Sequence, residues 1–128
     1  MSAPIPIQVH YHKQARELEL IYEDEVSFRL SVEYLRVFSP SAEVRGHGGP
    51  ESATLQVGKK HVGLTNISQV GRYAIKLHFD DGHDSGIYSW EYLYDLIQRR
   101  ESYWNGYLKQ LEQAGASREP QGIEIRQL

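Results

Sequence analysis

The stretch RYAIKLHFDDGHDSGIYSW, from Arg72 to Trp90, restricts the fold more than any other part of the chain. Tyr73, Ile75, Leu77 and Phe79 are apolar, and Ala74, Lys76, His78 and Asp80 lie between them. Successive side chains of a strand point to opposite faces, so this alternation predicts a strand with one face in a core. The Asp81-Gly82 pair then predicts a tight reversal, with DSGIYS returning as the antiparallel partner. If Asp81 and Gly82 fill the two turn positions, Asp80 stands opposite His83, and His78 opposite Ser85. That register puts His78, Asp80, His83 and Ser85 on one face, and Phe79 and Asp84 on the other.

The same period of two recurs earlier in the chain. In IQVHYH, Ile7, Val9 and Tyr11 alternate with Gln8, His10 and His12. Leu18, Leu20 and Tyr22, then Val26, Phe28 and Leu30, predict a hairpin reversing at Glu23-Asp24-Glu25. SVEYLRVF changes to helical spacing with Ser31 as its cap, and Pro40 ends it by disfavouring helical geometry in the residue before it. HVGLTNISQV reads as a further strand. From Ser89 the pattern is helical: Trp90, Leu93, Tyr94, Ile97, Trp104, Leu108 and Leu111 form one stripe, with Ser89 as N-cap and Gly106 as the expected weak point. Tyr92, Tyr103 and Tyr107 can lie off that stripe, where exposed aromatics would mark an interface. The expected architecture is α+β: small antiparallel β-sheets with a C-terminal amphipathic helix packed on them. One domain is expected over 1–114, followed by a tail over 115–128 in which IEIRQL adds a short edge strand.

Composition narrows the chemistry. The 128 residues include no cysteine, which excludes disulfides, thiolate nucleophiles and cysteine-ligated metals. A formal net charge of −3 supplies no basic footprint for nucleic acid. No apolar run approaches the ~20 residues that span a bilayer. MSAPIPIQVH lacks the charged start and apolar core of a secretory signal, so the cytoplasm is the expected compartment.

Two segments are candidate sites. SPSAEVRGHGGPESA, from Ser39 to Ala53, has no periodicity, and long loops in compact domains are usually functional or disordered. Its Arg45, His47 and glycine backbone N–H groups suit an anion; a mobile loop with glycines at positive φ explains them equally well. On the hairpin, His78, Asp80 and His83 carry metal-ligand chemistry, against which stands a simple cross-strand polar pair over a wet turn. HDSG is not a Ser/His/Asp triad on strand geometry, since neighbouring residues point to opposite faces.

EYLRVFSPSAEVRGHG and GKKHVGLTNISQVGRYAIKLHFDDGHDSGIYSWEYLYDL together resemble the DUF971 group, which belongs with the γ-butyrobetaine hydroxylase-like N-terminal domain. The resemblance covers roughly residues 7–98. It implies a compact α+β domain with a helix after the DGH hairpin. In the hydroxylases such a domain precedes a 2-oxoglutarate, iron-dependent oxygenase domain, and a similar one accompanies some P-loop iron–sulfur carriers. This chain leaves no room for the oxygenase domain, so oxygenase activity is not expected. The resemblance also implies a zinc site in the hydroxylases, formed by cysteines after the LR element and by the histidine of the DGH-like turn. That histidine matches His83, but Ser39 and Ser41 stand in the cysteine region. The same comparison implies that the 39–50 loop lies near the 80–85 hairpin.

The leading expectation is therefore a non-catalytic binding or interaction module without a cofactor. It would contact a protein partner, or a second copy of itself, through Arg36, Arg45, His47 and His83. A second reading is a protein binding zinc or another divalent metal through His83 with His47, His78 and Asp80, linked to iron–sulfur or oxygenase systems. A third is a small enzyme using Asp80 or Asp84 with His83 as acid and base.

Overall fold

The computed structural model describes residues 3–45 and 54–120. Two three-stranded antiparallel sheets form the frame. The first joins β1 (Gln8–His12), β2 (Glu17–Ile21) and β3 (Ser27–Ser31) in that order. The second joins β4 (Leu64–Val70), β5 (Ala74–Phe79) and β6 (Ile87–Ser89). Among the described residues four α-helices complete it: α1 (Val32–Val37), α2 (Ala42–Arg45), α3 (Trp90–Gln98) and α4 (Arg100–Ala114). The architecture is the expected α+β arrangement. None of the described helices is long and apolar enough to cross a membrane.

Alternation decides which faces are buried. Val9 stands opposite Leu20, Tyr11 opposite Leu18, and Leu18 opposite Leu30. In the second sheet Ile75 and Leu77 point inward with Tyr88 of β6. Leu18, Leu20, Leu30, Val32, Leu35, Leu77, Leu93 and Leu96 are at most 1% exposed, so both sheets, α1 and α3 share one core. Tyr73 departs from the expected apolar face: it precedes the ladder, in the β4–β5 turn, and its side chain is exposed.

Both helices that follow strands begin at a serine. The Ser31 hydroxyl accepts from the Tyr34 N–H at 3.0 Å, and the Ser89 hydroxyl accepts from the Tyr92 N–H at 3.0 Å. Each satisfies one of the orphan N–H groups of a first turn. The C-terminal helix breaks at Arg99 rather than at Gly106, which sits inside α4 with open space around it. The break rotates the buried face, so that Tyr107 packs inward while Leu108 is exposed. Tyr107 and Leu111 thereby form a second apolar cluster with Val37 of α1. The hydroxyls of Tyr92, Tyr103 and Tyr107 donate to Phe38 O, Asp95 Oδ2 and Gln56 O respectively, so these tyrosines brace the fold.

Beyond α4, Gly58 and Lys60 donate backbone hydrogen bonds to Ser117 O and Arg118 O. Arg118 reaches back to the buried Glu33 of α1 with Nε at 2.8 Å and Nη2 at 2.6 Å, its guanidinium lying over Trp104. The first residues after Ala114 thus tie α4 to α1. The IEIRQL segment lies outside the described residues.

Candidate functional site

The expected loop and hairpin do meet, and they meet through serine, histidine and carboxylate. α1 ends at Phe38, and Ser39 is drawn inward until it has no exposed surface. Ser41 restarts a helical turn, its carbonyl accepting from Val44 and Arg45 N–H and its hydroxyl from Glu43 N–H. A short helix, α2, therefore occupies part of the segment read as loop.

The hairpin tip differs from the expected two-residue turn. At its base the register is the expected one, with Ile75 opposite Tyr88 and Lys76 opposite Ile87. At the tip, however, Phe79 N–H donates to His83 O and Gly82 N–H to Phe79 O. Gly82 has φ +90°, so Asp80-Asp81-Gly82 is a three-residue loop with glycine in the left-handed position. A slip of one residue reverses which face a side chain takes. His83 consequently turns inward beside the Phe79 ring, 5.9 Å between centroids, and leaves the face shared by His78 and Asp80. His78 instead meets the Ser68 hydroxyl of β4 at 2.9 Å, and Asp80 is exposed.

Inside the junction, Ser39 Oγ lies 2.8 Å from His83 Nε2, and His83 Nδ1 lies 3.3 Å from Glu43 Oε2. With Nδ1–H donating to the carboxylate, Nε2 accepts from the serine hydroxyl. Burial first, and then the Arg36 charge, hold the His83 pKa below its ordinary value; Glu43 and Asp81 oppose this without reversing it. Beside this chain, the Ser41 and Ser85 hydroxyls are 2.7 Å apart. Gly86 makes the close approach possible, because a Cβ there would lie 2.5 Å from Ser39 Oγ.

A second bridge runs below the first. Asp81 Oδ2 accepts from Arg36 Nε at 2.9 Å and from Lys59 Nζ at 2.7 Å, while Oδ1 accepts from the His83 N–H at 3.1 Å. Burial pushes the Asp81 carboxyl up, but the hydrogen bonds from Lys59, His83 and Arg36 outweigh it and leave its pKa below the ordinary value. Arg36 also donates to Gln56 Oε1 and lies over Phe79. Arg45 donates to Phe38 O and to the Tyr92 hydroxyl and lies over the Phe38 and Tyr92 rings. Arg36, Arg45 and His83 are therefore held by internal partners; His47 lies outside the described residues.

The order Ser39, His83, Glu43 is that of a nucleophile, its base and the group orienting the base. A nucleophile must also reach its substrate, and Ser39 is 0% exposed. The arrangement is chemically a lock: hydroxyl and imidazole satisfy each other and pin α1–α2 to the hairpin. It does not fit zinc either. The hydroxyls of Ser39 and Ser41 are neutral and already paired with His83 and Ser85, whereas zinc takes thiolate, imidazole or carboxylate. Among the described residues no three His, Cys, Asp or Glu side chains are placed to hold a metal ion, and His78, Asp80 and His83 do not converge.

The profile described as Gamma-butyrobetaine hydroxylase-like, N-terminal, matches residues 9–94. The chain belongs to that family. Two proteins solved by NMR in solution are similar over nearly the whole chain. One is 46% identical with a TM-score of 0.79, covering 98% of both chains. The other is 43% identical with a TM-score of 0.78, covering 98% of this chain and 95% of that one. A crystal structure of a DUF971-family protein with unknown function from Acidithiobacillus ferrooxidans is 36% identical, with a TM-score of 0.61. It covers 75% of this chain and 98% of its own. No curated protein matches this chain. The family membership agrees with the γ-butyrobetaine hydroxylase-like reading of the sequence.

Proposed function

We propose that this domain is a non-catalytic interaction module and that its working surface is the outer rim of the α2–hairpin junction. The observation that carries the reading is the burial of Ser39: the Ser39–His83–Glu43 chain, which stands in catalytic order, has its nucleophile sealed inside. What the lock presents outward is acidic. The Glu43 side chain is 72% exposed, and Asp80 and Asp84 are exposed beside the turn. A partner bearing lysine or arginine complements such a rim, and charge complementarity of this kind sets specificity and association rate more than affinity. Arg36, Arg45 and His83 serve this surface from beneath, by fixing the two segments that form it.

The test compares proteins retained from a host-cell extract by the immobilised full chain, by a Glu43→Lys/Asp84→Lys variant, and by Glu112→Lys as a remote charge control. A partner kept by the wild type and the control and lost from the double variant supports the rim. Identical recoveries on all three would refute it.

A further inference from the structure

Past α4 the chain folds back toward α1 as a strap, residues 115–120. Gly115 ends the helix in the left-handed region at φ +62°, and the Gly58 and Lys60 N–H groups then donate to Ser117 O and Arg118 O at 3.0 Å and 3.1 Å. Gly58, at φ +69°, admits the strap's backbone: a Cβ there would lie 3.2 Å from Pro120 Cα and 3.5 Å from Glu119 O. Main-chain donors of this kind supply affinity for a peptide, and specificity comes from the pocket that takes its side chain.

That pocket is built for arginine. Arg118 sets two N–H groups on the Glu33 carboxylate and lies over the Trp104 ring, 5.1 Å from its centroid. A carboxylate met by a planar fork and an aromatic face under it are two features that favour arginine over lysine. Glu33 is only 6% exposed. Desolvating a carboxylate is costly, and an apolar side chain of similar volume often serves stability as well, so recognition accounts for this residue better than stability does.

The occupant, by contrast, is loosely held. No residue from 115 to 120 is buried. Glu119 meets Lys60 Nζ at 2.9 Å and His61 Nε2 at 3.0 Å, but these pairs lie at the surface, where they contribute little. Ala116 alone of the strap packs against the Val37–Tyr107–Leu111 cluster. Segments with few apolar contacts and exposed backbone bonds open well below the free energy of global unfolding.

We infer that Glu33, Trp104 and the backbone of residues 58–60 form a peptide-binding groove selective for arginine, filled at rest by the chain's own strap. An arginine-bearing segment of a partner protein takes it when the strap lifts. The strap shows the ligand's chemistry: an arginine whose own carbonyl and the preceding one accept from Lys60 and Gly58. None of these residues belongs to the acidic rim, so this groove and that surface stand or fall separately.

The experiment uses the full chain, isotope-labelled, with three probes: the capped peptide Ala-Ser-Arg-Glu-Pro, the same peptide with lysine for arginine, and methylguanidinium. In the wild type, amide exchange at Gly58 and Lys60, corrected for intrinsic rates, should run at least about a hundredfold faster than at Leu93 in the core. In Arg118→Ala, which removes the competing side chain, the arginine peptide should give saturable NMR shifts at Gly58, Lys60 and the Trp104 indole. The lysine peptide should bind at least about tenfold more weakly, and methylguanidinium should move Trp104 alone. The wild type should bind the arginine peptide roughly thirtyfold more weakly than the variant, because Arg118 holds the groove closed. Thermal melts check that the variant is folded; if it is not, Arg118→Lys carries the same titration. Core-like exchange at Gly58 and Lys60, equal binding of the two peptides, no binding to the variant, or equal affinity for variant and wild type would overturn the inference. So would methylguanidinium matching the peptide's affinity, which would make the site one for a free cation. Strap opening that grows with protein concentration would also overturn it, since the occupant would then be the strap of a second copy.

Discussion

Gly86→Ala should destabilise the fold by about 2 kcal/mol, and the reason lies across the junction at Ser39. The new methyl would sit 2.5 Å from Ser39 Oγ and 3.2 Å from Tyr88 Cε1. Tyr88 has nowhere to go: it is fully buried and its hydroxyl is fixed to Leu35 O. Ser39 can escape only by rotating its hydroxyl away, which breaks the 2.8 Å contact with His83 Nε2 and the 3.3 Å bond from Ser41 N–H. Staying costs overpacking of ~1–3 kcal/mol, and leaving strands a buried polar group at ~1–3 kcal/mol. For a chain of this size that is a fall in Tm of roughly 8 °C. A double-mutant cycle by urea and thermal melts isolates the cause. With Ser39→Ala in place the clashing oxygen is gone, and the penalty of Gly86→Ala should shrink by at least about 1 kcal/mol. Additive penalties would refute the claim that Gly86 exists to admit the Ser39–His83 pair.

Arg118→Ala should cost about 2 kcal/mol in urea melts, because it leaves the Glu33 carboxylate buried without its fork; Arg118 is 36% exposed, which holds the loss below the ~3–5 kcal/mol of a fully buried pair. Arg118→Lys should recover only part of it, since one ammonium cannot reproduce two parallel bonds. The depressed His83 pKa means that, below its ordinary 6.5, the unfolded chain takes up the proton more readily than the folded one. His83 thus contributes stability above that pH that is lost as pH falls toward the depressed value. Melts of His83→Gln should show a smaller stability deficit relative to wild type at lower pH, and a deficit that grows on acidification would contradict this.

Much of the frame is visible in the residue pattern, because period-two alternation and serine caps are local signals. The β2–β3 pairing, the β5–β6 register and both capped helices follow from neighbours in the chain. What the pattern conceals is set by tertiary contacts or by a single turn. An Asp-Gly pair is compatible with loops of two or three residues, and that one residue decides whether His83 joins His78 or meets Ser39. The helix break at Arg99 likewise carries no glycine or proline, and it follows from the need to lay Tyr107 and Leu111 on Val37. Arg36 and Arg45 read as surface recognition groups by type, yet aromatic rings and carbonyls from distant segments claim them. The Glu43 end of the Ser39–His83–Glu43 chain and the Asp81 bridge could be suspected only from the proximity of the segments, since Arg36 and Lys59 stand 45 and 22 residues from Asp81.

Ser39, although it stands in catalytic order with His83 and Glu43, is a sealed structural hydroxyl. The most direct measurement treats the folded full chain with a small fluorophosphonate, which labels activated, accessible serines, and reads the site by peptide mass spectrometry. No adduct is expected at Ser39 in the folded chain, because its hydroxyl is buried. A stoichiometric adduct on Ser39 that disappears in His83→Gln would contradict it and make this junction an active site.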